Sequence, residues 1–439
     1  MNFLVFLAES FAEGAVILPN IIFAGLIFEH FGAYEYIMPF VLLYAFEKAG
    51  TFAIQGFGRI NNPYRILRVG ILIAVFGSFI TLGGYTMHVL WSIGASLIGI
   101  GLSIYIPFYK TVTDCLKENN LWKFKNSSLK GYLFLAIFTI VSMMIRRTSM
   151  NYVFAIFTLT LCGTAWFIFN LEVTDDLRNN KMFIPHGLGL RYFIPSLLIF
   201  LLTFFTRGLK QTSNMSYIFY MLITFCLLIL TDFFYKKRNY RIQSLQSMWY
   251  GAVRNFFTIY SLIYFIAVGK YVYVSISYLM IAVALICAMV ISPVIKKKVT
   301  GSKYECFCIL AASLSSLLVL VPHMYMVGVL LGCMFVSMGN SSALKAYLKD
   351  GNFIKFERRL VKARFYSLGS VIQQVFLLTV LVVMSKVMFS DSKIAISSYA
   401  FYMGNPKFEH IFFITRLICV LGICISGVYM IYKTKRKNL

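Results

Sequence analysis

Acidic residues are scarce in this chain. Its 439 residues include 16 Asp and Glu against 41 Lys and Arg, and charged residues of both signs reach only 13%. Soluble domains carry about 25%, so this much uncharged surface could not be hidden in a water-soluble fold of this length. The nine cysteines form no C-x-x-C pair and no cluster with the five histidines. Neither a metal site nor a disulfide scaffold is expected, and the cysteines read as small apolar packing residues. A G-x-x-x-x-G-K-[ST] loop is absent, which excludes a fused ATPase of that type. No cofactor motif occurs. The longest predicted outer loop, 386–409, lacks a His/Asp catalytic motif, so the chain is not expected to be an enzyme. A cleavable leader is not expected either, because no basic residue precedes Phe3 and no small-x-small site follows a short apolar core.

What the chain has in excess is apolar sequence: 59% hydrophobic residues and a mean hydropathy of +0.78. A membrane span needs roughly 20 apolar residues. Spans are predicted at about 3–28, 35–57, 70–87, 89–109, 131–145, 150–171, 192–206, 214–235, 249–268, 272–294, 304–321, 324–343, 366–385 and 410–431. With the N-terminus inside, the inner loops collect 30 of the 41 Lys and Arg. They include Lys110, Lys117 and Lys123, Lys236–Arg241, Lys296–Lys303 and the Lys345–Arg364 stretch. This asymmetry follows the positive-inside rule. It predicts both termini in the cytoplasm of a multi-pass protein of the cell (plasma) membrane, and it makes the net charge of +25 topological rather than a nucleic-acid footprint. The spacing of Lys345–Arg364 also predicts an amphipathic helix on the inner leaflet, attracted to anionic lipids by about 1 kcal/mol per basic residue.

The chain repeats itself. Leu116-Lys-Glu-Asn-Asn-Leu-Trp-Lys-Phe124 matches Leu348-Lys-Asp-Gly-Asn-Phe-Ile-Lys-Phe356 at an offset of 232 residues. Each copy follows a glycine-rich span, with Gly94, Gly99 and Gly101 opposite Gly328, Gly332 and Gly339. Upstream, Asn62-Pro63 sits opposite Ser292-Pro293, and Gly14-Ala-Val with Asn20 opposite Gly251-Ala-Val with Asn255. The expected fold is therefore all-α, with about fourteen spans, two six-helix repeats in the same orientation, and two extra helices between them. The expected domains are 1–171 (first bundle), 172–248 (linker and two extra helices) and 249–439 (second bundle). Parallel repeats of this kind place substrate between the halves near mid-membrane.

This arrangement resembles the major facilitator superfamily. That family carries Gly-x-x-x-Asp-basic-x-Gly-basic-basic between its second and third spans. Here the same place reads Gly56-Phe-Gly58-Arg59-Ile-Asn61-Asn-Pro63-Tyr-Arg65. The glycines and basic residues are present, and the acidic position is empty, with Asn61 nearest to it. The resemblance implies a secondary transporter that works by alternating access, with Gly56, Gly58, Arg59 and Arg65 in a cytoplasmic gating loop. Span four, Gly94 to Gly101 followed by Pro107, is similar to the glycine-rich fourth helix of the family. A helix pair between two six-helix halves also occurs in its fourteen-span drug exporters and its oligopeptide transporters. Neither subfamily signature is reproduced: span five lacks the exporters' proline, and Glu9 and Glu13 stand one residue further apart than the peptide transporters' glutamates, with no Arg following. A second resemblance, over Leu18-Pro19-Asn20 to Gly50, is to polysaccharide and lipid-linked oligosaccharide flippases. It makes lipid flipping the alternative function.

Ionisable side chains inside a membrane are costly and mark cavities or partners. Glu9 and Glu13 lie four residues apart on one face of span one. Mutual repulsion and burial both favour the protonated form, so the pair can load and release a proton. Glu47 and Lys48 fall inside span two. Neighbours on a helix point about 100° apart, so each is expected to find a partner elsewhere. Glu47 joins the coupling candidates and Lys48 the substrate contacts. Arg254, in the first span of the second half, can hold a carboxylate or phosphate or pair with Glu13. Asn20 and Asn255, matched in the repeat, can hydrogen-bond substrate. Arg416 reads as an interfacial anchor. The substrate is expected to be a small or lipid-linked solute.

Overall fold

The computed structural model describes residues 2–14, 19, 22–23, 26, 34–124, 127–146, 150–185, 189–234, 241–351 and 354–436. These residues are almost entirely helical. The first helices are α1 (Asn2–Gly14), α2 (Tyr34–Ala53), α3 (Pro63–Leu82), α4 (Val89–Glu118), α5 (Ser127–Arg146) and α6 (Met150–Phe169). Then come α7 (Leu190–Thr212) and α8 (Ser216–Phe234). The rest are α9 (Ile242–Asn255), α10 (Ser261–Ala267), α11 (Tyr271–Lys298), α12 (Gly301–Leu318), α13 (Tyr325–Lys349), α14 (Arg358–Phe389), α15 (Ile394–Ala400) and α16 (Glu409–Arg436). Among the described residues, nine helices are long and apolar enough to cross a bilayer: α2, α3, α4, α6, α7, α11, α13, α14 and α16. Two shorter apolar stretches, Phe3–Ala12 and Ser216–Thr231, lie in α1 and α8.

The chain divides into two compact units, Met1–Phe204 with Ile354–Leu360, and Phe205–Phe353 with Val361–Leu439. In the first unit α3 and α2 pack on α4, α1 packs on α4, α5 and α6, and α3 packs on α6. In the second unit α12 and α11 pack on α13, α9 packs on α13 and α16, and α12 packs on α16. The core of the first unit is aliphatic and aromatic, with Trp91, Tyr105 and Phe108 fully buried beside Leu67 and Ile71.

Small residues set the closest approaches. An added Cβ at Gly101 would stand 2.6 Å from both the Ala74 nitrogen and the Gly70 carbonyl oxygen. Gly77 and Gly94 oppose each other in the same way, a Cβ on Gly94 reaching the Gly77 oxygen at 2.6 Å. Contact of backbones through small residues replaces the hydrophobic driving force that lipid removes.

Several helices outrun their predicted spans. α4 continues to Glu118 and α14 begins at Arg358, so Lys110 and the Arg358–Arg364 group are helical rather than loop residues. The amphipathic helix expected over Lys345–Arg364 does not form as one element. α13 runs to Lys349 and α14 starts at Arg358, with a 3-10 turn over Lys355–Glu357. Two basic residues of this stretch meet acidic partners within the protein. Arg359 pairs with Asp114 at 2.5 Å and Lys355 with Glu118 at 2.5 Å, both acids lying on the extended end of α4.

Candidate functional site

The loop between α2 and α3 is built by its glycines and asparagines. Gly58 has φ +143°, a conformation open to glycine and strained for other residues. An added Cβ there would stand 2.8 Å from the Ile184 oxygen. Gly56 faces the Phe193 ring, which an added Cβ would meet at 2.6 Å. The next residues pair as a strand, Arg59–Ile60 antiparallel to Phe183–Ile184. Asn62 then caps α3, its side chain accepting from the Arg65 N–H at 3.0 Å with Pro63 at the first helical position. Its amide also donates to the Leu177 and Asn180 carbonyls at 2.8 and 2.9 Å. Arg65 donates to the Arg178 carbonyl at 3.0 Å, at the end of the single helical turn Asp175–Asn179. Arg59 is exposed.

The acidic position missing from this loop is filled from far along the chain. Glu357 Oε2 accepts from Gln55 Nε2 at 2.7 Å, and Oε1 from the Ile60 N–H at 3.0 Å. A carboxylate thus reaches the loop where sequence has only Asn61, whose amide instead donates to the Lys181 carbonyl at 3.1 Å. Glu357→Ala should strip both acceptors and cost about 1–3 kcal/mol locally. Hydrogen exchange at the Ile60 amide would then accelerate by about tenfold or more; unchanged exchange would contradict this assignment.

In the first unit, Glu9 is 1% exposed. It forms an ion pair with Lys110 Nζ at 2.7 Å and accepts from Ser127 Oγ at 2.8 Å. Tyr105, one turn before Lys110, donates to the Ala8 carbonyl at 2.8 Å, which fixes α1 against α4. α1 carries Glu13 as well, but its side chain lies outside the described residues, as does Asn20. Glu47 and Lys48, expected to find partners elsewhere, pair with each other. Lys48 Nζ bonds Glu47 Oε1 at 2.9 Å and lies 5.0 Å from the Tyr44 ring centre. The four-carbon lysine stem bridges the angular gap between neighbours, and both groups are largely buried, at 14% and 8% side-chain exposure, where an ion pair is favoured over two isolated charges.

The second unit holds the denser polar group. Arg254 is half-buried on α9, its carbonyl accepting from Thr258 Oγ1 at 3.0 Å. Asn255 follows it, immediately before a π-helical turn at Phe256–Tyr260. Its Nδ2 donates to Gln373 Oε1 at 2.6 Å, and its Oδ1 accepts from Ser370 Oγ at 3.0 Å and Gln374 Nε2 at 3.2 Å. Gln374 Oε1 in turn accepts from Lys210 Nζ at 3.0 Å. Lys210 is 2% exposed and Arg207 6%. Sequence reading placed both in an outer loop, because the apolar run stops at residue 206. The helix continues to Thr212 and carries them inside. Gln373 and Gln374 were missed for a different reason: they are neutral. Two amides and Ser370, three and four residues apart in a long apolar helix, were the available signal.

Arg416 is also buried, at 4% exposure, rather than anchored at an interface. Its guanidinium lies 5.4–5.6 Å from the ring centres of Phe413, Tyr325 and Tyr264. Tyr264 donates to Glu409 at 2.9 Å, which also accepts from Lys270 at 3.0 Å. Aromatic faces stabilise a desolvated guanidinium by about 2 kcal/mol, which offsets part of the cost of burying it.

No family profile matches the sequence, and no curated protein sequence matches it. Solved structures do match the fold. A nucleoside transporter, NupG, aligns over 98% of this chain and 97% of its own, at 12% identity and a TM-score of 0.53. An auto-inhibited POT-family peptide transporter aligns over 98% and 95%, at 13% identity and 0.52. A bacterial homologue of the iron transporter ferroportin aligns over 98% and 99%, at 10% identity and 0.52. The chain thus shares its fold with these transporter structures, and it is a multi-pass membrane protein.

Proposed function

We propose that this chain is a secondary active transporter, not an enzyme, that moves a small or amphipathic solute across the cell membrane by alternating access and couples that movement to protons. The observation that carries this reading is the end-to-end match in fold to transporters, together with a buried carboxylate–ammonium pair, Glu9 with Lys110. Buried ionisable groups persist in membrane proteins where they do work. In this reading Glu9, Glu13 and Glu47 form the proton path. Arg254, Asn255, Lys48 and Asn20 contact substrate, and the Gly56–Arg65 loop gates the cytoplasmic side.

The architecture we propose is fourteen spans: a six-helix bundle over 1–171, a linker with two extra helices over 172–248, and a second bundle over 249–439, with both termini cytoplasmic. Repeated packing supports the two-bundle reading. A Cβ on Gly131 of α5 would strike the Glu9 backbone of α1 at 2.9 Å, and one on Gly369 of α14 would strike the Met248 oxygen of α9 at 1.8 Å. The glycines stand 238 residues apart (131 to 369) and their partners 239 apart (9 to 248). Likewise Gly94 of α4 packs on the Gly77 carbonyl of α3, as Gly328 of α13 packs on the Ser315 carbonyl of α12.

The test is proton movement in proteoliposomes containing a pH-sensitive dye, with nucleosides, peptides, amino acids and sugars offered in turn. Wild type is expected to acidify the lumen with at least one class, and Glu13→Gln to abolish that flux. Flux that no solute elicits would overturn the coupled reading and turn attention to lipid-linked saccharides.

A further inference from the structure

Building on the transporter reading, we infer that Lys210, Gln374, Asn255 and Gln373 of the second unit, with Arg207 beside them, form a binding site for a single oxyanionic group, a phosphate ester or carboxylate, on the transported solute. The argument begins with the direction of the hydrogen bonds. An ammonium can only donate. Lys210 Nζ therefore fixes Gln374 with its oxygen toward the lysine, which leaves the Gln374 NH2 to donate to Asn255 Oδ1. Asn255 must then present its own NH2 to Gln373 Oε1. The last group in the chain is the Gln373 NH2. It is buried, in a residue 7% exposed, and has no hydrogen-bond partner among the described residues. Amide orientations are ordinarily ambiguous. Here the donor-only lysine removes the ambiguity, because turning any one amide around sets donor against donor somewhere in the chain.

Both ends of this relay are therefore donors. At one end, the Lys210 ammonium uses one of its three N–H bonds on a neutral amide, and no carboxylate pairs with it among the described residues. At the other end is the orphan amide of Gln373. Arg207, one turn before Lys210 on the same helical face, adds a second positive charge in the same dry surroundings. A buried ammonium beside surplus donors is poorly compensated by a neutral amide. An oxyanion supplies what is lacking, since it is acceptor-only and negatively charged. The position of Asn255 at the mouth of the π-helical turn fits this role, because such turns occur frequently at functional sites. A network kept only for packing would require neither a cation at its head nor a free donor at its tail.

The experiment uses the full-length protein in neutral detergent, followed by thermal unfolding. Sodium phosphate and sodium acetate are titrated against sodium chloride at matched ionic strength. In a parallel arm, micelles are doped with phosphatidic acid or with phosphatidylcholine. Wild type should show saturable stabilisation by phosphate or acetate beyond chloride. Lys210→Met should lose it, Gln373→Leu should weaken apparent affinity about tenfold, and Lys435→Met, on the exposed last turn of α16, should leave it unchanged. Stabilisation by phosphatidic acid alone would keep the site and make its natural anion a lipid headgroup. If Lys210→Met does not fold, Gln373→Leu decides, because it keeps every charge. The proposal is overturned if neither the soluble oxyanions nor phosphatidic acid stabilise wild type beyond their chloride and phosphatidylcholine controls, or if Gln373→Leu binds the anion as tightly as wild type. The measurement is made at equilibrium without a gradient, so its failure is separable from a failure of proton-coupled transport.

Discussion

Gly369→Val should prevent the second unit from folding. The Gly369 Cα faces the Met248 peptide so closely that an added Cβ would stand 1.8 Å from the Met248 oxygen, 2.6 Å from its carbonyl carbon and 2.9 Å from its Cα. All three are backbone atoms, so no rotamer change relieves the clash, and α9 and α14 would have to part. Overpacking in a well-filled interior costs about 1–3 kcal/mol when side chains can shift, and the cost here should exceed that range. The Asn255 bonds to Ser370, Gln373 and Gln374 join the same two helices and would be lost with the contact. Expression as a fluorescent fusion followed by size-exclusion chromatography should give aggregate in place of a symmetric peak. Gly422→Ala is the matched control. Its nearest neighbour would be a Phe376 ring carbon at 3.9 Å, so its stability should stay within about 0.5 kcal/mol of wild type.

Removing one partner of the Glu9–Lys110 pair should be the second large effect. Glu9→Ala takes the Glu9 carboxylate away from the Lys110 ammonium, and breaking a buried pair in this way costs about 3–5 kcal/mol. Lys110 is only 19% exposed and Glu9 1%, so water offers little relief. Lys110→Met removes the ammonium from Glu9, which keeps its bond from Ser127, and should be comparably destabilising. The double variant Glu9→Ala with Lys110→Met removes both charges and should recover most of the lost stability, while remaining inactive in proton-coupled uptake. A double-mutant cycle in thermal or chemical unfolding measures this directly. An interaction energy near zero would mean that the pair does not hold α1 to α4.

How far these features could be read from sequence depended on whether a residue announces itself by type or by partner. Helical, membrane-embedded character followed from scarce charge and long apolar runs, which are local properties. The close glycines were visible as glycine-rich stretches in both halves, and Gly94 and Gly328 do sit at helix contacts. Asn255 was picked out through its match to Asn20. Its partners were not, because Gln373 and Gln374 carry no charge and a single pattern of amides in an apolar helix is silent until a neighbouring helix completes it. Lys110, Arg207 and Lys210 were assigned to loops because hydropathy falls where the polar residues begin. The helices ignored that boundary, since each polar group found a partner inside the fold: Glu9 for Lys110 and Gln374 for Lys210. The carboxylate that serves the Gly56–Arg65 loop could not be inferred from the loop, because Glu357 is about 300 residues away and meets Ile60 only in three dimensions. Glu47 and Lys48 show the limit of angular reasoning: side-chain length outweighed the direction of the Cβ.

Alternating access is the central claim, and distances report it most directly. In a background with the nine native cysteines replaced, spin labels would be placed at Met87, before α4, and at Met324, before α13. Electron–electron distance measurements in proteoliposomes would then be made with and without a solute that elicits proton flux. Two distance populations are expected, with a ratio that shifts on adding solute and is frozen by Glu13→Gln. A single population, unmoved by solute, would contradict the account.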